Sequence, residues 1–500
     1  ATMKLVFTWC LVLVLCELTY SAAPRARLRH APHEVGAASV CRAVSVMDAA
    51  ADRAFLDWAS DKCGDALSTN VELVTFSSGL RGLRAKQDLS ARSPFLSWPA
   101  GYALQTTTGM RHPKGVDRDV WRSLDWYSQL ACLLILEKKA GTTSDLAAWI
   151  QALPRDFDTP YGWRDADVAE LHYPALEQAV SRQREAWARV RSQLEAGGVS
   201  CPQAEVEWAL HCVRTRAFSG AYEGSTFQER VGLVVFAGLL TVLYPVIGAG
   251  TIEQSLTGAV AVLVFLVARD FGMPKVLDLK RYVLCPLIDM INHDSRVSSD
   301  VAYQVFSNAF SVTREEAVPA GEEVLISYGP RSNDQLLQYH GFVEPGSRFD
   351  VFVMPRFLEH IEAEVGVPDG ALDAINTAGY SQAIRRGARL THEGCPDELT
   401  LSMLRVLCAA GTSSPGGASA RGGGDDKREL ALLLAACRRE AAALPTTRAA
   451  DVEALATLEE AAGTRKLKEK EARTRTILAF RVEKKMLLDK AIAYLSAQTM

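Results

Sequence analysis

At 500 residues the chain is long enough for two or three domains, and 48% apolar with 23% charged residues is the composition of a globular protein. A formal net charge of -4 argues against a nucleic-acid binder, which carries a basic face. The 11 cysteines are irregularly spaced and form no CxxC pair, which argues against a disulfide framework and a structural zinc site; no metal is expected.

Taken from the start, Met3-Lys4, the apolar run Leu5 to Cys16 and the small residues Ser21-Ala22-Ala23 read as a signal sequence over 1–23. The run is shorter than the about 20 residues that span a bilayer. Arg25, Arg27, Arg29, His30 and His33 follow with a single acid, Glu34. That stretch, 24–46, is expected to be a transit segment or linker and to give a plastid (chloroplast) location, with plain secretion as the alternative.

Met47 to Trp58 has the spacing of a first helix, and Val71 to Phe76 alternates like a strand. A turn, Ser78-Gly79-Leu80-Arg81-Gly82, comes next; a missing Cβ there lets backbone approach a ligand, although a simple hairpin turn has the same signature. Val120 to Lys138 predicts one amphipathic helix, Leu153 to Pro160 a Pro-punctuated loop, and Asp165 to Leu194 two further helices. A helix is expected to end at Thr215-Arg216-Ala217-Phe218, where the planar fork of Arg216 can hold a carboxylate.

Val231 to Ile252 carries no charge, and Gln254 to Ala268 is again uncharged, with Gly248-Ala249-Gly250 as the bend. Two readings stand: a helical hairpin in contact with a membrane through 231–268, and a buried helix pair such as a dimer contact.

The most informative stretch opens with Tyr282 to His293, a strand that runs into Asp289-Met290-Ile291-Asn292-His293. It closes with Gly321-Glu322-Glu323-Val324-Leu325-Ile326-Ser327-Tyr328-Gly329, an alternating strand that delivers a Tyr into a Gly, then Gly341-Phe342. Strand ends of this kind can hold a ligand rigidly. Beyond it, Val351 to Ala378, Pro396 to Ala410, Asp426 to Leu444 and Asp451 to Ser496 predict helices, and 411–425 predicts a flexible Gly/Ser loop. The mixed-sign run Arg465 to Arg475 reads as a solvated helix face.

The two halves of 282–342, in this order, resemble the SET-domain protein methyltransferases, in the branch typified by the Rubisco large-subunit lysine methyltransferase. The Gly79 turn, the Thr215-Arg216-Ala217-Phe218 helix end and the tail Ala479 to Leu487 fit the same pattern. The resemblance covers roughly Leu73 to Leu495, without the apolar insert and the Gly/Ser loop. It implies an α+β fold: a β-rich SET domain over 47–342 with a helical insert (120–280, including 231–268), then an all-α substrate-binding lobe over 343–500.

The resemblance also implies S-adenosyl-L-methionine as cofactor, held by the backbone of Gly79, Leu80 and Arg81 and by Arg216, Asn292 and His293. It implies a catalytic hydroxyl on Tyr328, and Asp289, Tyr303, Tyr328 and His340 on the substrate side, with Phe342 behind them. Thr215 replaces a family Ser, Gly220 replaces a substrate-side basic residue, and His340, beside Tyr339, stands where an aromatic wall Tyr is common. The implied reaction methylates a lysine of a non-histone protein, with the Rubisco large subunit or another organellar protein as candidate partner. A histidine acceptor, or a SET-derived binding protein without catalysis and tethered to a membrane, are the alternatives. A lysine acceptor must be neutral, roughly 3 Å from the methyl carbon and in line with the leaving sulfur. With an ordinary pKa of about 10.4, it needs a dry channel to lose its proton.

Overall fold

The structure is a computed structural model. It describes residues 49–63, 69–76, 79–107, 110, 112–221, 232, 235, 238–239, 241–243, 245–248, 251–267, 280–304, 307–365, 371–380, 386–410 and 424–499. The expected signal sequence and transit segment lie outside the described residues, as does the Gly/Ser loop up to residue 423.

The architecture is α+β. After a helix, Ala49–Cys63, come β1 (Val71–Thr75), β2 (Arg81–Ala85), β3 (Leu96–Pro99) and β4 (Leu104–Thr107). Helices Arg118–Ser123, Trp126–Ala140, Ala147–Ala152, Pro174–Ala196 and Gln203–Arg216 follow, then β5 (Phe218–Ala221). The remaining strands are β6 (Lys280–Leu284), β7 (Asn292–His293), β8 (Ser299–Gln304), β9 (Ala309–Arg314), β10 (Glu323–Ile326), β11 (Val351–Met354) and β12 (Ala388–Thr391).

They form small sheets ordered β1-β2-β10-β7, β3-β9-β8, β4-β6-β5 and β11-β12. In the first, β10 lies antiparallel to β2, with Val324 opposite Leu83, and parallel to β7, with Leu325 opposite Asn292 and Ile326 opposite His293. Segments some 200 residues apart in the chain are thereby stitched side by side.

Among the described residues two apolar cores hold the fold. One collects Phe55, Leu83, Trp98, Trp121, Trp149 and Phe310; the other collects Tyr173, Phe352, Phe357, Phe480 and Leu487. The Pro174–Ala196 helix serves both: Leu176 and Val180 enter the second, Trp187, Val190 and Leu194 the first. The long last helix, Glu469–Thr499, is pinned by buried charge as well as by apolar contacts. Lys484, its side chain only 3% exposed, donates to Asp350 at 2.7 Å, to the Val351 carbonyl at 2.7 Å and to Asp334 at 3.2 Å. A buried ammonium is tolerated only with such pairing.

Three expected helices are interrupted. Val120 to Lys138 is two helices, because Leu124 turns extended (ψ 138°) and Asp125 starts the second from the N-cap position. Val351–Met354, rich in β-branched and aromatic side chains, pairs with β12 before the helix Phe357–Val365 begins. Asp451 to Ser496 breaks after Thr464 and resumes at Glu469.

The apolar insert is helical at its described positions up to Val246, turns at Ile247-Gly248, and has a second helical arm at Ile252–Val267. Several of its apolar side chains are open to solvent: Val242, Val246, Ile247, Ile252 and Val264 are 62–75% exposed. Among the described residues no helix is long and apolar enough to cross a membrane.

Candidate active site

The site begins at the turn before β2. Gly79 has φ 82°, in the left-handed region, where a Cβ would strain the backbone. Phe76 and Leu80 close the turn, with the Phe76 N–H donating to the Leu80 carbonyl at 2.8 Å. Gly82 has no room for a side chain: a Cβ there would lie 2.6 Å from Asn292 Nδ2. That close approach lets the Asn292 amide donate to the Arg81 carbonyl (3.2 Å) and to Glu323 Oε1 (2.8 Å). Both amide hydrogens are thus used, and Oδ1 accepts from no described group.

The Arg81 side chain turns inward, to Asp52, to the Ala152 carbonyl (2.8 Å) and to Met290 Sδ (3.0 Å). Arg216, at the end of the Gln203–Arg216 helix, donates from Nη1 to the Asp289 carbonyl (2.8 Å) and to Asp289 Oδ2 (3.1 Å). Its Nε is buried with no described partner. Asp289 Oδ2 also accepts from Trp149 Nε1 at 3.3 Å. Burial pushes the Asp289 carboxyl up, and Arg216 and Arg81 pull against it. Expected on the substrate side, the Asp289 carboxylate is fully buried behind Arg216.

β10 ends where β7 ends, so Tyr328 meets the Asn-His pair. The Tyr328 N–H donates to His293 Nδ1 at 2.9 Å, and its hydroxyl donates to the Ile291 carbonyl at 2.9 Å. A backbone N–H only donates, so Nδ1 is bare and the His293 proton sits on Nε2. Nε2 faces Glu344 Oε2 at 3.7 Å. The Glu344 carboxyl is held at about 2: burial opposes this, but His293 and the N–H of Ser295 outweigh it. Gly329, with φ 88°, makes the turn that follows.

The His293 and Tyr328 rings stack at 4.8 Å, His340 lies 5.0 Å from Tyr328, and Phe342 lies 6.0 Å from both histidines. His340 sits on a π-helical turn, Leu336–His340, a distortion often found at functional sites. Gly341 ends that turn at φ 77°, where a Cβ would fall 2.5 Å from the Asp158 carbonyl. Burial, then Arg331, His293 and Arg214, push the His340 imidazole down to about 3, so it is neutral.

No protein-family model matches the chain. Over 90% of its length it superposes on a structure of Rubisco LSMT bound to AdoMet (92% of that chain, TM-score 0.57, 18% identity). It superposes likewise on the SET domain of LSMT bound to lysine and AdoHcy (91% of that chain, TM-score 0.59, 17% identity). This is the SET-domain fold. In sequence, the chain is 25% identical over 365 residues to an actin-histidine N-methyltransferase of Drosophila melanogaster, 70% of this chain and 58% of that protein. It is 22% identical over 313 residues to SET domain-containing protein 4 of Artemia parthenogenetica, 61% of this chain and 67% of that one. The chain thus spans little more than half of the first relative.

Of the residues predicted for the site, the fold brings Gly79, Leu80, Arg81, Asn292, His293, Tyr328 and His340 into one neighbourhood. Arg216 and Asp289 join it through Met290 and Ile291. Tyr303 sits on β8, its hydroxyl on Asn308 Oδ1 (2.7 Å) and its ring against Phe310 (5.5 Å) and the Arg281 guanidinium (4.6 Å). Sequence reasoning missed Glu323, which accepts from Asn292 at 2.8 Å, and Glu344, whose carboxylate faces His293 Nε2 at 3.7 Å. Glu323 was marked only by its place in an alternating strand beside Gly321. Glu344 carries no local signal.

Proposed function

We propose that the chain transfers a methyl group from S-adenosyl-L-methionine to a lysine side chain of a non-histone protein. The observation that carries this reading is the joint of β7 and β10, where Tyr328 Oη is tied to the backbone one residue before Asn292. The buried, unpartnered Nε of Arg216 and the open Oδ1 of Asn292 are a donor and an acceptor suited to the carboxylate and ammonium of one amino-acid ligand. The backbone of Gly79, Leu80 and Arg81 would face the same ligand across a turn that only glycine makes.

The cofactor supplies an electrophilic methyl on a sulfonium. The protein's part is orientation and control of charge. Tyr328, with its proton committed to Ile291, presents oxygen lone pairs that can hold the incoming amine in line. The rings of His293, His340 and Phe342 exclude water on one side. Cationic Arg331 and Arg214 near His340 lower the pKa of an ammonium placed beside them, which favours the neutral amine.

The same cationic surroundings favour a second reading, an acceptor histidine. An imidazole, with an ordinary pKa of about 6.5, is already neutral near pH 7 and brings no charge to the two guanidiniums. Methyl transfer from labelled cofactor to an organellar extract, followed by mass spectrometry of the labelled band, tests the proposal. Label on lysine supports the first reading and label on histidine the second. Absence of protein label with fully bound cofactor rejects both.

A further inference from the structure

Most arginines around the site are neutralised. Arg81 pairs with Asp52, Arg84 with Glu72 at 2.7 Å, Arg216 with Asp289 and Arg296 with Asp294 at 2.6 Å. Two are not. Arg214, two residues before the end of its helix, has its guanidinium 3.8 Å from the Tyr339 ring centre and 5.4 and 5.5 Å from those of Trp126 and Tyr127. Among the described residues it has no acidic partner and makes no hydrogen bond. Asp125, next to Trp126, accepts instead from the Tyr127 hydroxyl at 2.9 Å. Arg331 donates from Nε to the Tyr328 carbonyl at 3.3 Å and likewise meets no acid among the described residues.

Both flank the turn that carries Tyr339 and His340: Arg214 lies over the Tyr339 ring, and Arg331 is bonded to the carbonyl of Tyr328, whose ring packs on His340 at 5.0 Å. Burial and the charge of Arg214 together push the Arg331 guanidinium down, and both cations act on His340. Two like charges held together without a counter-ion cost free energy, and here the cost is borne beside the ring that packs on Tyr328. Aromatic stacking fixes the plane of Arg214 while leaving its N–H fork unused, the arrangement suited to a carboxylate.

We propose that Arg214 and Arg331 form an anion subsite for the acceptor protein, which selects an aspartate or glutamate next to the residue that is modified. The proposal rests on the methyl-transfer reading of the site. It assigns these residues to the acceptor rather than to the cofactor, whose amino-acid end faces Arg216 and Asn292.

The test uses the full chain and synthetic peptides with a central lysine or histidine, flanked within two residues by glutamate, glutamine or lysine. Labelled methyl transfer is measured for the wild type, Arg214→Gln, Arg331→Gln and the double charge reversal Arg214→Glu/Arg331→Glu. The wild type is expected to favour glutamate-flanked peptides by roughly 10- to 100-fold in kcat/KM, the size of one charge-assisted pair. Each glutamine variant should lose most of that preference, lysine at either position should retain part of it, and the reversal should favour lysine-flanked peptides. A preference unchanged in the variants overturns the proposal, as does a loss of cofactor affinity in calorimetry, which would make these arginines cofactor ligands. Peptide binding by fluorescence anisotropy, with S-adenosylhomocysteine present, separates the subsite from the chemistry. Glutamate-dependent binding that vanishes in the variants upholds the subsite even where no methyl moves, and equal binding of all peptides overturns it.

Discussion

Replacing Tyr328 with Phe removes one hydroxyl and little volume, so it isolates the hydroxyl's role. The ring keeps its stack with His293 at 4.8 Å and its contact with His340 at 5.0 Å. What disappears is the 2.9 Å bond to the carbonyl of Ile291, a neutral pair with a net worth of about 1 kcal/mol. Stability should therefore fall only slightly. Turnover should fall far more, because the acceptor amine loses the group that orients it, and a misplaced reactant costs on the order of 100-fold, about 2.7 kcal/mol of barrier. The assay pairs single-turnover methyl transfer with calorimetric cofactor binding. The expected result is a rate down by about 100-fold with cofactor Kd changed by less than about threefold. A rate within about threefold of wild type would refute the role given to Tyr328. A rate lost in parallel with cofactor affinity would move Tyr328 to the cofactor side.

Asn292→Ala removes the bonds to Arg81 and Glu323 and the open Oδ1; calorimetry should show cofactor affinity down by about tenfold or more, and an unchanged Kd would reject the assignment. Gly82→Ala should have a similar effect by pushing Asn292 Nδ2 away from 2.6 Å, with a measurable drop in Tm. Acid should destabilise the protein in two windows. His340 has its pKa lowered from 6.5 to about 3, so the folded state binds fewer protons than the unfolded one, and stability falls as pH drops from 6.5 towards 3. Glu344 has its pKa lowered from 4.5 to about 2, so its contribution is complete above 4.5 and lost as pH falls through 2. His340→Phe should flatten the first limb of a Tm-versus-pH curve and Glu344→Gln the second; curves parallel to wild type would contradict these pKa directions. Serine at Val242, Val246 and Ile247, which are 65–75% exposed, should weaken retention on a hydrophobic column without lowering Tm, whereas a lowered Tm would mean that they pack within the chain.

The sequence carried the site's strand ends well, since alternation, a glycine at a positive φ and the Asn-His and Tyr-Gly pairs are local signals. Gly79, Gly329 and Gly341 all occupy the left-handed region. Non-local pairing was not legible. Nothing in Glu323 to Ile326 says that this strand lies between β2 and β7, and the π turn that carries Tyr339 and His340 looks like ordinary helix in its periodicity. Nor could spacing show that one helix, Pro174–Ala196, feeds two cores, because its apolar stripe is continuous. The resemblance implies Asp289 on the substrate side, and only the fold shows that Arg216 and Trp149 hold its carboxylate.

The most direct measurement of the central claim is a cocrystal structure with S-adenosylhomocysteine. The account predicts one bound molecule between the Gly79 turn and the Asn292-His293 pair, its carboxylate on Arg216 Nε, its ammonium on Asn292 Oδ1 and its sulfur directed towards Tyr328. A molecule bound elsewhere, or no binding at saturating concentration, would contradict it.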